Sequence, residues 1–258
     1  MSFATRLASG EPIDDPVAVV VAHADDETLW AGAALPRLRN CRLIHVTDSS
    51  PRDIGDARRR GLESRADYAR LRAAELDVAL AELGASPERI AYRFADQEVV
   101  NHLPELVERL ASDCRDAAAI VTHPYEGGHP DHDSIALAAR TAADRMPNRP
   151  AIVEFACYAE FDGERVFGRF QPDPAHPEQV RRLSPFEREK VERALDAHAS
   201  QRTVFEDYLP DAERWRDAPR YDFTRPPPPG RALYDRFGWT ITSERWRERA
   251  RSLLGVPA

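Results

Sequence analysis

Two short stretches combine imidazoles with carboxylates at spacings suited to metal-assisted proton chemistry. They are Ala22-His23-Ala24-Asp25-Asp26-Glu27 and Gly127-Gly128-His129-Pro130-Asp131-His132-Asp133. Neutral imidazole and carboxylate are zinc ligands, and a catalytic zinc keeps three protein ligands with one position open for water. His23, Asp26 and His132 would supply such a set, leaving Asp25 and His129 free for proton transfer beside the ion. An H-x-x-D or H-x-x-H spacing alone says little in a chain with 8 histidines. The pair says more, because each cluster follows an apolar run and glycines before the second let backbone approach a ligand closely. The plainer alternative makes the acids helix N-caps, and Asp133 is well placed to cap the helix after it.

The elements that must position these loops alternate. Residues 17–22 form an apolar, β-branched run as expected of a strand buried on both faces. Helices are predicted over 29–38, 58–83 (stopped by Gly84), 103–114 and 134–145, with strands over 42–47, 90–94, 118–122 and 152–158 between them. Such alternation predicts an α/β fold, a Rossmann-like three-layer sandwich with a mostly parallel sheet. Both clusters then sit at the carboxyl ends of strands, the rim where open α/β sheets bind ligands. Beyond residue 160 the pattern weakens to a hairpin around Gly163 and a helix over 185–201. Residues 1–201 are thus read as one α/β domain. Residues 202–258 are a C-terminal extension packed on it: a Pro-rich strap over 225–230 and a Trp- and Arg-rich helix over 243–254, with a lid over the site as the alternative.

Composition limits the partners. The chain has 258 residues, 42% hydrophobic and 31% charged, enough for a sizeable core. A net charge of -8 argues against affinity for nucleic-acid backbones and leaves a small molecule as the partner. The arginine tracts 58–60 and 245–251 are interleaved with acids and read as solvated helix faces. Three widely spaced cysteines, Cys41, Cys114 and Cys157, fit neither a disulfide framework nor a thiolate zinc site, so a reducing, cytoplasmic setting is expected. No stretch approaches the ~20 apolar residues of a transmembrane segment. The oligomeric state stays open, a homo-oligomer included. A G-x-S-x-G elbow, a Walker A loop and a G-x-G-x-x-G turn are all missing, so serine hydrolase, P-loop and dinucleotide readings lack their signals.

The A-H-x-D-D-E and G-G-H-P-D-H-D segments resemble the paired signatures of the PIG-L (LmbE-like) metal-dependent de-N-acetylases, over roughly residues 16–201. Ala24 stands where that family usually has proline. The resemblance implies zinc (or another divalent transition metal) on His23, Asp26 and His132, and Asp25 as general base. His129 would stabilise the oxyanion and protonate the leaving amine, and Asp131 would orient a histidine. It also implies removal of an acetyl group from an N-acetylglucosamine-type sugar or glycoconjugate. The alternatives are an amidase for a larger sugar-linked conjugate, such as a thiol adduct, and a non-catalytic sugar-binding module.

Three further residues are candidates for substrate binding. Arg72, with Glu75, is similar to the family's R-x-x-E helix, against a plain surface i, i+3 ion pair. Asp96 would accept a sugar hydroxyl or be an ordinary loop acid, and His198 would lie near the metal pocket or be structural. The tyrosine some members place before the second motif has no counterpart at Gly127-Gly128, the nearest being Tyr125; Tyr125, Trp30 and Trp239 offer faces for a sugar ring.

Overall fold

A computed structural model describes residues 1–205, 208–228 and 230–256. In chain order the elements are α1 (Phe3–Ser9), β1 (Ile13–Val21), α2 (Asp26–Ala31), β2 (Leu38–Pro51), α3 (Gly55–Arg59), α4 (Arg65–Leu83), β3 (Glu88–Asp96), α5 (Leu103–Asp113), β4 (Ala119–Thr122) and α6 (Pro130–Arg145). They continue with β5 (Ala151–Phe155), β6 (Tyr158–Phe161), β7 (Glu164–Phe167), β8 (Gln179–Arg182), α7 (Pro185–Ala197), α8 (Arg202–Phe205), β9 (Ala212–Asp217) and α9 (Ser243–Leu254).

The central sheet has the order β3-β2-β1-β4-β5-β9-β8. Its first five strands are parallel, and β9 and β8 extend it antiparallel. Alternate residues of β1 feed two different cores, as the period of two along a strand requires. Val17, Val19 and Val21 pack with Leu29, Leu76, Leu80 and Leu195 on one face; Ala18 and Val20 pack with Leu106, Leu110, Ile135 and Ala139 on the other. Helices thus cover both sides of an α/β fold. The chain order reverses direction at β1 and β4, and the first motif follows β1 while the second follows β4. That reversal point is where an open sheet offers a crevice.

Several predicted boundaries shift for physical reasons. The helix expected over 58–83 is two helices. Gly61 adopts φ +70°, and Ser64 starts α4 afresh by accepting the Asp67 N–H at 3.1 Å. The helix over 29–38 stops at Ala31, followed by a 3₁₀ turn, Leu35–Arg37, with Pro36 near its start. The strand over 152–158 ends at Phe155, because Ala156 and Cys157 turn the chain into the separate β6–β7 hairpin.

The segment after residue 201 supplies a sheet strand as well as outer packing. Strand β9 lies between β5 and β8. Trp246 of α9 is buried, and its Nε1 donates to Pro130 O (3.2 Å) and Ser134 Oγ (2.9 Å), fixing the first turn of α6. Of the proline strap, Pro229 lies outside the described residues. No helix among the described residues is long and apolar enough to cross a membrane.

Candidate metal centre and active site

The first motif turns sharply after β1. The Asp25 and Asp26 N–H groups both donate to the His23 carbonyl (3.1 and 3.3 Å), and Asp26 Oδ2 accepts the His23 N–H at 2.8 Å. Asp26 and Glu27 occupy the first turn of α2, where the helix dipole favours negative charge. The second motif is held against the C-terminal segment. Gly127 adopts φ +71°, and a Cβ on Gly128 would fall 2.1 Å from the Tyr158 carbonyl oxygen, so neither position accepts a side chain as built. Asp133 was expected to cap the following helix. Instead it accepts the Gly127 N–H (3.0 Å) and the Tyr234 hydroxyl (3.1 Å), and the cap is His129, whose Nδ1 accepts the Asp131 N–H at 3.2 Å.

The two loops meet. His23, Asp25, Asp26, His129 and His132 are each 2–9% exposed. Asp26 stands between two imidazoles, Oδ2 lying 3.5 Å from His23 Nδ1 and Oδ1 lying 3.4 Å from His132 Nε2. His23, His129 and His132 each bring a ring nitrogen within 4.8 Å of the others. Neither ring nitrogen of buried His132 has a hydrogen-bond partner in the protein. A buried imidazole without partners is costly, and one nitrogen turned toward an ion relieves that cost. The N/O donor set therefore fits a divalent metal.

His23 is flanked by carboxylates, its Nε2 lying 3.1 Å from Asp96 Oδ1 and 3.5 Å from Asp131 Oδ2. Burial disfavours its charged ring, but Asp96, Asp131 and Asp26 outweigh burial and hold its pKa well above the ordinary value. Asp131 also accepts the N–H groups of Gln97 (2.7 Å) and Val99 (3.1 Å), which ties the loop after β3 to the second motif. Asp96 is thus a partner of His23 and lies 3.7 Å from His129 Nε2. Burial and the neighbouring His23 push the His129 pKa well down, so its ring is neutral, with the proton on Nε2 because Nδ1 is an acceptor.

Arg72 is not part of a surface ion pair. Its buried guanidinium donates to Asp25 Oδ2 (2.8 Å), Ala24 O (2.8 Å) and Ser49 O (3.2 Å). Glu75 instead accepts the Ser200 N–H and hydroxyl. Burial raises the Asp25 pKa to about 8, against the pull of Arg72 and with Asp26 adding to the rise. A cleft of about 730 Å³ between α4 and strands β2 and β3 ends on Ala24 and Arg72.

His198 stands one layer back. Its Nε2 lies 3.2 Å from Thr28 Oγ1, which donates to Glu27; Glu27 in turn accepts the Asp25 N–H (3.2 Å) and lies 3.0 Å from His45 Nε2. Sequence reasoning missed His123, which stacks on His132 at 3.8 Å and 14°, accepts the Ala22 N–H at 3.0 Å and turns Nδ1 to Cys157 Sγ at 3.3 Å. Its place just past β4 was the signal, the same strand-end position as His23 after β1. Tyr125 is buried among Tyr221, Phe223 and Trp246, its hydroxyl bound to Arg225 O, away from the centre.

Residues 18–143 match the family model PIG-L, described as GlcNAc-PI de-N-acetylase. Over that span, just under half of the chain, the sequence is similar to the PIG-L family. Both motifs of the PIG-L match fall inside it, together with Arg72, Asp96 and His123. No curated protein matches the sequence. Among solved structures, the zinc-inhibited form of a teicoplanin deacetylase aligns with TM-score 0.63 at 16% identity, over 80% of this chain and 99% of that one. The deacetylase of the antimicrobial A40926 pseudoaglycone gives 0.60 at 18%, over 81% and 99%. The N,N'-diacetylchitobiose deacetylase of Pyrococcus horikoshii gives 0.54 at 16%, over 80% and 84%. At such identities the likeness is one of fold, shared over four-fifths of this chain.

Proposed function

We propose that this protein hydrolyses the acetamido group of an N-acetylated amino sugar or glycoconjugate, using zinc held by His23, Asp26 and His132. The observation that carries the reading is buried His132, whose ring nitrogens make no hydrogen bond and whose Nε2 lies 3.4 Å from Asp26 of the other loop. When bound, the ion supplies Lewis acidity and a more acidic water. The chain's own residues do the rest. Asp25, fixed by Arg72, acts in its ionised form, which the Arg72 guanidinium favours and a bound cation would favour further: it takes a proton from the attacking water and returns it to the departing amine nitrogen. His129 directs Nε2–H toward the carbonyl oxygen, where negative charge develops. Asp96 and Asp131 orient His23, and Glu27 steadies the turn through the Asp25 N–H.

The sugar is supported by the family description and by the names of the relatives. A larger conjugate is the second reading, favoured by the teicoplanin and A40926 pseudoaglycone deacetylases among those relatives. A binding module without catalysis fits less well, since acid, imidazole and ligand groups are all in place. Three buried free thiols support a cytoplasmic setting. The test is to load the protein with zinc and measure acetate and free amine from N-acetylglucosamine, diacetylchitobiose, N-acetylated nucleotide sugars and N-acyl glycopeptides. Equal release of both products from at least one is expected; none from any, at one metal per chain, overturns the reading.

A further inference from the structure

Trp239 is an aromatic that no core accounts for. Its indole meets His129 in an edge contact, ring centroids 5.0 Å apart at 66°, and its other ring neighbour is Phe237 at 4.9 Å, itself 43% exposed. It belongs to none of the three packed clusters, although Trp246 of the same C-terminal segment is wholly buried in one. Among the described residues its Nε1–H donates to nothing, although the ring is half-buried. Trp239 is only half-buried, and among the described residues the rings it meets are just those of His129 and Phe237. A half-exposed indole beside the candidate catalytic imidazole, outside every packed cluster, is placed to meet something outside the chain.

The segment carrying Trp239 is fixed at both ends and free between. On one side the Leu233 N–H donates to Gly127 O (2.8 Å) and the Tyr234 hydroxyl to Asp133. On the other, Asp235 accepts the Ser243 N–H and hydroxyl, and Arg245 donates to Thr240 O. Gly238, at φ +68°, turns the chain just before the indole. The side chain is therefore presented to His129 by anchored backbone.

We propose that Trp239 is a specificity-determining residue. Its indole is the platform on which the pyranose ring of the substrate stacks while the acetamido group reaches Asp25 and His129, and Nε1–H donates to a ring hydroxyl. This rests on the sugar deacetylase reading and deepens it: the platform selects cyclic amino sugars, whose C–H faces suit an aromatic surface.

The test has a binding arm and a turnover arm on the zinc-loaded full chain. Titration with the product amine, methyl glucosaminide, should change tryptophan fluorescence in the wild type, and Trp239→Phe should lose that change. No change in the wild type, or an undiminished one in Trp239→Phe, overturns the proposal. In turnover, Trp239→Ala should raise KM for methyl N-acetylglucosaminide roughly tenfold with kcat within about twofold, and Trp239→Phe should recover most of the loss. An unchanged KM, or a collapse of kcat at unchanged melting temperature and metal content, also overturns it. Saturable, Trp239-dependent binding without acetate release would sink the deacetylase reading and leave the platform standing.

Discussion

At the scale of single residues, Asp25 and His132 separate two kinds of contribution. Asp25 touches no candidate ligand nitrogen; its carboxylate is held by Arg72. Asp25→Asn should keep metal content while slowing hydrolysis by ~10²–10⁴-fold, the usual scale for a general base. His132→Ala should lose the metal itself. Metal analysis beside steady-state rates decides both, and an Asp25→Asn enzyme with wild-type turnover would remove the proposed base. The types and spacing of these residues were legible in the sequence. The role of Arg72 was not: nothing in Leu71-Arg72-Ala73-Ala74-Glu75 says that Arg72 faces Asp25 while Glu75 turns to Ser200. Helical spacing puts the two side chains on one face, and only the strand behind that face decides what each meets.

At the scale of elements, α7 ends at His198, which is buried behind Thr28 and Glu27 of α2. Burial lowers its pKa to about 4, against the opposing pull of Glu27. Because the folded value lies below the unfolded one near 6.5, this stability is present above pH 6.5 and lost as pH falls toward 4, up to about 3 kcal/mol. Urea unfolding at pH 7 and pH 4 should show His198→Gln losing less stability than the wild type. Equal losses would mean that His198 does not carry this part of the acid response. The apolar strands β1 and β4 were readable from composition, whereas β9 (Ala-Glu-Arg-Trp-Arg-Asp) was not. Its charges look solvated, yet Glu213 accepts the Ala34 N–H and Arg216 pairs with Glu154 and Glu126, so these two are satisfied inside the fold. Partners that distant in sequence leave no local trace.

At the scale of the whole molecule, the centre draws on the loops after β1, β3 and β4, with the C-terminal segment behind the last. A metal there ties together parts of the chain about a hundred residues apart and stabilises only the folded state. Stripping it with a chelator should lower the melting temperature by roughly 5–10 °C, for a metal near a hundredfold its dissociation constant, and zinc should restore it. An unchanged melting temperature after full metal loss would contradict a metal held by these residues in the folded chain alone. The arginine tracts behave as a net charge of -8 suggests: Arg59 pairs with Asp56, Arg60 donates to Ala199 O and Ser200 O, and Arg251 donates to Thr224 O.

Alternating apolar strands and helices determined the α/β architecture, and residue types beside two strand ends determined the donor chemistry, because both follow from local spacing. Tertiary structure alone decided that Arg72 grips Asp25, that His123 lies beneath His132, that a charged segment becomes a sheet strand, and that Trp239 stands beside His129. Each of these depends on which distant surfaces share a buried space, and burial and charge pairing across such distances are properties of the packed chain.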